Sequence, residues 1–143
     1  MHNPFSMAEG DNWIGRTVSA IESGPQWAHT AIFITWDDCG CFYDHVAPPA
    51  GLGIRNPVVI VSPYAKARYT DSTVATTASL LAFTEHTFGL TPLGTADATA
   101  YDYANAFNFA QAPLAGIRMT QTTVPAGSLT YIAANPVDPD DPT

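Results

Sequence analysis

The chain has 143 residues, a hydrophobic fraction of 46% and a formal net charge of −8, with 13 acidic residues against five Lys and Arg. This length predicts one ordinary domain, and the apolar fraction excludes wholesale disorder and fibrous repeats. The negative charge argues against nucleic acid as a partner, because an acidic surface repels a phosphate backbone.

The first third of the chain predicts a helix followed by a strand. Residues 1–10 read as an N-terminal extension without the basic start and apolar run of a signal peptide. In residues 11–23, apolar side chains recur near helical spacing, which predicts a short amphipathic helix ended by Gly24 and Pro25. Residues 29–36 form a continuous apolar and β-branched run, which is typical of a strand buried on both faces.

A long loop, a second strand and a second helix follow. Residues 37–56 are rich in Asp, Pro and Gly without a hydrophobic period, so they predict a long loop of the kind that is often functional. Residues 56–63 predict a second apolar strand. Helix N-cap residues at 70–72 precede an apolar run, so we expect a helix over about 72–88 that stops at Gly89.

This order of elements predicts an α/β domain over residues 11–135, with a mainly parallel sheet and flanking helices. A short helix is expected near 97–107 and a final edge strand within 122–133. Residues 136–143 concentrate Pro and Asp and read as a disordered tail. No apolar run approaches the roughly 20 residues of a transmembrane helix.

Two cysteines, Cys39 and Cys41, lie one residue apart in the long loop. A disulfide across one glycine closes a small ring and gains little loop entropy, so free thiols are the first expectation. A strained redox pair or a soft-metal site stays open as an alternative. A zinc finger is not expected, because no second cysteine pair exists.

The acidic pair Asp37 and Asp38 comes directly after the first predicted strand. In α/β sheets, binding and catalytic groups gather beyond the carboxyl ends of strands. Two adjacent carboxylates repel each other, and a divalent cation allows both to stay ionised. The pair is therefore a candidate metal site, although an exposed turn would give the same pattern.

Three further charged residues lie in the same loop. Asp44 and His45 are candidates for catalysis or for the wall of a site, because His can ligate metal or donate to phosphate and a carboxylate can fix its tautomer. A structural role for the pair gives the same pattern. Arg55 precedes the second strand, where it could bind an anionic oxygen or neutralise the acids, and an internal salt bridge is the expectation for it.

Residues 23–66 contain the segments TAIFITWDDCGCFYDHV, PP, GIRNP and SP in this order. They resemble the bacterial phosphoesterase family of phosphatidylcholine-type phospholipases C and acid phosphatases. The residues that match the family pattern are Trp27, Thr30, Trp36, Asp37, Asp38, Gly40, Phe42, Tyr43, Asp44, His45, Val46, Pro48, Pro49, Gly53, Arg55, Pro57, Ser62 and Pro63. The following segments SLLAFTEHTFGLTPL and AFNFAQAP are similar to the family as well.

The resemblance implies part of an alkaline-phosphatase-like sandwich, specifically its C-terminal half. It implies that Asp37 and Asp38 ligate a divalent metal and that Asp44 and His45 lie in the site wall. The implied substrate is a phosphate ester or phospholipid, and the implied location is secreted or periplasmic. One local departure is Cys41, which replaces the second Gly of the usual Gly-Gly and strains the loop if that Gly needs a positive φ.

A second departure concerns completeness. The family's upstream Glu-Asn motif and its Ser or Thr nucleophile are absent from these residues. One hypothesis is therefore metal-dependent phosphoester hydrolysis to which this chain contributes the C-terminal half, with the N-terminal half as its partner. The alternative is a non-catalytic α/β module that complements another chain or binds a ligand. A third and weaker hypothesis is redox chemistry at Cys39 and Cys41.

Overall fold

A computed structural model describes residues 6–38 and 43–136, except the side chain of Ile132. The chain divides into two compact units. Unit 1 takes the described residues up to Pro63 and those from Ala115 onward, and unit 2 is Tyr64–Leu114. The elements are α1 (Met7–Glu22), β1 (Ile32–Thr35), β2 (Val58–Val61), α2 (Thr77–Phe88) and α3 (Ala126–Ala134), with 3-10 turns at Trp27–His29, Ala96–Thr99 and Ala104–Ala106.

Helix α1 begins earlier than the sequence predicts, inside the expected N-terminal extension. Ser6 is its N-cap, and the Ser6 side chain accepts a hydrogen bond from the Glu9 backbone N–H at 3.3 Å. Such a cap satisfies one of the amides that the first helical turn leaves unpaired. No helix in the described ranges is long and apolar enough to cross a bilayer.

An extended segment of unit 1, residues 116–122, lies along α1 and is held by side chains of that helix. The Asn12 amide exchanges two hydrogen bonds of 2.7 Å with the backbone N–H and C=O of Thr122. The Glu22 carboxylate accepts the Ile117 N–H at 3.0 Å. Gly116 permits this approach, because a Cβ there would lie 2.7 Å from the Glu22 Cβ.

The sheet of unit 1 corrects the expectation of a mainly parallel arrangement. Strands β1 and β2 pair antiparallel, from Ile32 opposite Val61 to Thr35 opposite Val58. Parallel pairing of consecutive strands needs a crossover, usually a helix. The described part of the connection between β1 and β2 contains no helix, so the chain returns along the strand it has just left.

The two strands are also less buried than their apolar sequences predict. Every residue of β1 except the exposed Thr35 is half-buried. In β2, Val58 is 36% exposed and Val59 is 49% exposed. A run of Val and Ile fits full burial only when layers cover both faces of the sheet, and neither strand reaches full burial here.

Helix α2 of unit 2 ends where the sequence predicts and begins later. Gly89 adopts φ 64°, the left-handed conformation that closes a helix C-terminus. The start lies at Thr77 rather than near 72, and the Thr76 backbone N–H donates to the Ser79 hydroxyl at 3.0 Å. Asp71 is therefore not the N-cap, and its carboxylate instead accepts the Tyr101 hydroxyl at 2.5 Å.

Aromatic rings form the main packing cluster of unit 2. The ring of Phe107 lies 5.3 Å from that of Phe83 and 5.6 Å from that of Phe109, and both pairs are stacked. Tyr64 packs against Phe109 at 5.7 Å. Phe107 is only 7% exposed, and its backbone forms an antiparallel bridge with Ala65, so this residue joins the two ends of the unit.

Two further sequence predictions are corrected towards the C-terminus. The expected helix at 97–107 is replaced by two 3-10 turns. The buried Asp97 carboxylate accepts backbone N–H groups of Leu93 and Thr95 and the Thr95 hydroxyl, and these bonds favour a compact turn over a helix.

The predicted edge strand at 122–133 is largely helix α3, Ala126–Ala134. Helix α3 satisfies its backbone groups within its own turns, so it needs no pairing with either strand of the sheet. The predicted disordered tail lies outside the described residues from position 137 onward.

Candidate functional site

The acidic pair follows β1, at the end of the sheet where hydrogen bonds join the end of β1 and the residue after it to the residues before β2. The Thr35 hydroxyl donates to the Pro57 carbonyl at 3.0 Å, and the Asn56 side-chain amide donates to the Trp36 carbonyl at 3.3 Å. Asp37 and Asp38 come immediately after the residues on the β1 side of these two hydrogen bonds. The antiparallel pairing thus places the acids beside the start of β2 rather than beside the carboxyl end of a parallel neighbour.

Both carboxylates of the pair belong to exposed residues. The Asp38 backbone N–H donates to Asp37 Oδ1 at 3.2 Å, which orients the Asp37 carboxylate beside its neighbour. Carboxylate oxygens are the donors that hard divalent cations prefer. Within residues 6–38 and 43–136, no group of three or more His, Cys, Asp or Glu side chains is close enough to hold a metal ion. The pair therefore fits a divalent cation in donor chemistry, and its role as a metal site remains a prediction.

Asp44 is bound by Arg55 across the loop, as the expected internal salt bridge. The Arg55 Nε and Nη2 atoms lie 2.9 and 3.0 Å from the two carboxylate oxygens, and the Val46 N–H donates to Oδ1 at 2.9 Å. The hydrogen bond from Arg55 is the largest of the contacts that lower the pKa of Asp44 to about 2. Asp44 is thus a hydrogen-bonded carboxylate that holds the loop against the residues before β2.

The variant Arg55→Gln tests this assignment of the Asp44 charge. Loss of the guanidinium should raise the pKa of Asp44 from about 2 towards its ordinary value of 3.8, while the Val46 N–H limits the rise. The folded pKa lies below the ordinary value, so the contact stabilises the fold above about pH 4 and this contribution is lost as the pH falls through 2. A carbon-detected NMR titration of the Asp side chains measures the change. Arg68→Gln, an exposed arginine of unit 2, is the charge-matched control, and an Asp44 pKa that stays near 2 in Arg55→Gln would contradict the assignment.

His45 is an exposed residue next to this ion pair. Asp44 directs its two oxygens to Arg55 and Val46, and no hydrogen bond between Asp44 and His45 is present in the described structure. The proposed fixing of the His45 tautomer by Asp44 therefore has no support here. Catalytic roles for Asp44 and His45 remain predictions, and Cys39 and Cys41 lie outside the described residues.

One group of side chains in unit 1 was not predicted from the sequence as a set. Arg16 of α1 and Arg118 of the docked segment line the same groove, together with Gln121. The two arginines are about 100 positions apart in the chain and belong to no motif. Only the docking of residues 116–122 on α1 brings them to one surface.

Comparison with known proteins adds a family match. The model of the Phosphoesterase family matches residues 1–91. The matched range contains α1, the acidic pair, the Asp44 and Arg55 ion pair, both strands and α2. The match therefore covers each residue that the sequence analysis nominated for the site.

Similar curated proteins are phospholipases C. Non-specific phospholipase C1 of Arabidopsis thaliana is 37% identical over 62 residues, which cover 43% of this chain and 11% of that protein. Non-hemolytic phospholipase C of Pseudomonas aeruginosa is 27% identical over 147 aligned residues, covering 76% of this chain and 21% of that protein. The protein of the same name from Burkholderia pseudomallei is 30% identical over 124 residues, covering 59% of this chain and 18% of that protein. The chain thus spans only about a tenth to a fifth of the length of these relatives.

Proposed function

This chain belongs to the phosphoesterase family, and we propose that it provides the acidic edge of a metal-dependent phosphate-ester hydrolase of the phospholipase C or acid phosphatase type. The observation that carries the proposal is the pair Asp37 and Asp38, exposed and hydrogen-bonded through Asp38 N–H to Asp37 Oδ1 directly after β1. The family match includes this pair, and the similar curated proteins are named as phospholipases C.

The charges around the pair support a cation rather than an anion as its direct ligand. Arg55, the basic residue of the same loop, binds Asp44 through two hydrogen bonds. Two adjacent carboxylates attract divalent ions and repel a free phosphate, so a bound cation would favour the approach of a phosphate ester.

In the proposed site, Asp37 and Asp38 hold the metal and the ion pair of Asp44 and Arg55 keeps the following loop in place. A divalent ion, when bound, would supply Lewis-acid polarisation of a phosphoryl oxygen. Two carboxylates are fewer ligands than a hydrolytic metal site needs, so we propose that the remaining ligands and the hydroxyl nucleophile come from protein outside the described residues. The C-terminal-half assignment and the alkaline-phosphatase-like sandwich belong to this proposal as well.

A non-catalytic module that complements another chain is the second candidate function. It is favoured by the exposed valines of β2, Val58 and Val59, which point to opposite faces of the sheet, because apolar side chains on both faces are normally covered by further structure. In this case the acidic pair would be a surface turn without metal affinity. The two candidates therefore differ in whether the pair binds a divalent ion.

The test is a calorimetric titration of the whole chain with Mn²⁺ and with Ca²⁺. We expect saturable binding to the wild type and at least a tenfold loss of affinity in the double variant Asp37→Asn, Asp38→Asn, because both anionic ligands are removed. The double variant Glu9→Gln, Asp11→Asn removes two charges from α1 and serves as the matched control that should bind like the wild type. Equal heats for the wild type and the Asp37, Asp38 variant would refute the metal site and leave the non-catalytic module.

A further inference from the structure

The groove between α1 and residues 116–122 of unit 1 has a volume of about 640 Å³. It is lined by two of the five basic residues of the chain, Arg16 and Arg118. Glu22 is the one acid among the described residues that line it. In a chain of net charge −8, this makes the groove a local positive region on an acidic protein.

The two guanidinium groups differ in how they are held. Arg16 Nη1 donates to the Gln121 side-chain carbonyl at 3.2 Å, which orients the group towards the segment and leaves its other N–H donors available. No hydrogen bond or ion pair is seen for the Arg118 guanidinium within residues 6–38 and 43–136. The groove therefore presents one oriented and one unengaged guanidinium.

The acid of the groove is already committed to the backbone. The Glu22 carboxylate accepts the Ile117 N–H at 3.0 Å, at the C-terminal end of α1. This end of the helix carries partial negative charge, so an anion is favoured at the other end of the groove, nearer Arg16. The negative end of the helix and the Glu22 carboxylate therefore direct a negatively charged group towards the side of Arg16 and Gln121.

The walls are fixed before any ligand binds. The side chains of Asn12, Ser19 and Glu22 each hydrogen-bond the backbone of the docked segment, at Thr122, Met119 and Ile117 respectively. A site whose walls are held by such contacts loses little conformational entropy on binding. Fixed walls distinguish this groove from two arginines on a flexible surface.

We propose that this groove binds a phosphate group through Arg16 and Arg118. Guanidinium groups pair with phosphate oxygens through parallel N–H donors, and the Gln121 side-chain amide lies beside them as a further donor. The phosphate can belong to a free anion or to a lipid headgroup, since the same contacts recognise both. The proposal does not depend on the acidic pair after β1.

Inorganic phosphate is the first probe, with the whole chain kept in EDTA so that no divalent ion contributes. NMR signals of the arginine side chains and of residues 116–122 should shift saturably with phosphate, and Arg118→Gln should weaken the affinity about fivefold. Arg68→Gln, which removes one exposed arginine from unit 2, is the matched control and should bind like the wild type. The variant Asp37→Asn, Asp38→Asn should also bind like the wild type, so failure of the metal site leaves this test intact.

Vesicles provide the second probe and distinguish the two sources of the phosphate. The vesicles consist of phosphatidylcholine with phosphatidic acid. Cosedimentation of the wild type that is weakened in Arg118→Gln indicates a lipid headgroup. Saturable binding of inorganic phosphate without cosedimentation indicates a free anion. Arg118→Lys keeps the positive charge and provides a second variant in case Arg118→Gln does not fold. Its affinity for the probes should lie between those of the wild type and Arg118→Gln. Absence of saturable binding of both probes, or equal affinities of wild type and Arg118→Gln, would overturn the proposal.

Discussion

Replacing Phe107 with alanine is expected to lower the free energy of unfolding of unit 2 by about 3–5 kcal/mol. Phe107 is 7% exposed and stacks between the rings of Phe83 and Phe109, so truncation removes buried contacts on both ring faces and leaves a cavity. A loss of this size is comparable with much of the stability of a small domain. Amide hydrogen exchange of Tyr64–Leu114 should therefore accelerate strongly in the variant.

The neighbouring ring provides the control for this prediction. Phe109 stacks on Phe107 at 5.6 Å but is 71% exposed, so Phe109→Ala should cost well under half as much. Thermal unfolding followed by near-ultraviolet circular dichroism compares the two variants in the same chain. Equal losses for Phe107→Ala and Phe109→Ala would show that the stack, rather than burial at Phe107, determines the stability.

Replacing Asp97 with alanine is expected to lower the melting temperature by about 5 °C or more. Asp97 is 2% exposed, and its carboxylate accepts the Leu93 N–H at 2.7 Å, the Thr95 N–H at 2.9 Å and the Thr95 hydroxyl. Alanine removes the acceptor of all three partly buried hydrogen bonds at once, which costs more than the loss of a single exposed hydrogen bond. Thermal unfolding by circular dichroism at pH 7 measures the effect.

Further variants and the pH dependence distinguish the effect of the Asp97 charge from the effect of its hydrogen-bond acceptors. Asp97→Asn keeps one acceptor oxygen, so its melting temperature should lie between those of the wild type and Asp97→Ala. Thr95→Val removes only the hydroxyl and should lower the melting temperature least. The Thr95 hydrogen bond is the largest contact that lowers the pKa of Asp97, to about 2. The difference between wild type and Asp97→Ala should therefore be complete above about pH 4 and shrink as the pH falls towards 2. A difference that does not change with pH would contradict the role of the ionised carboxylate.

The family assignment limits what the acidic pair can do alone. A metal-dependent hydrolase needs more ligands and a nucleophile than Asp37 and Asp38 provide, and the chain spans only 11–21% of the similar phospholipases C. The nearby Asp44 and Arg55 form an ion pair with each other. The metal titration therefore measures a property of these two residues and does not require an active enzyme.

The elements predicted from local pattern agree with the structure where local interactions decide the conformation. Both strands are present, and the end of α2 at Gly89 follows from the left-handed conformation that glycine adopts without strain. The salt bridge of Arg55 could also be expected, because few acids lie near it in the loop. These features depend on residues within a few positions or within one loop.

Residue identity and short-range spacing were enough to identify the family, the position of the acidic pair after a strand and the apolar runs that form the strands. The antiparallel pairing, the helix at Ala126–Ala134 and the shared groove of Arg16 and Arg118 became visible only in the folded molecule. Each of these depends on which distant segment lies alongside, through contacts such as that of Asn12 with Thr122 across 110 positions. Spacing along the chain carries no information about such contacts, because they are chosen by packing and hydrogen bonding of the folded molecule as a whole.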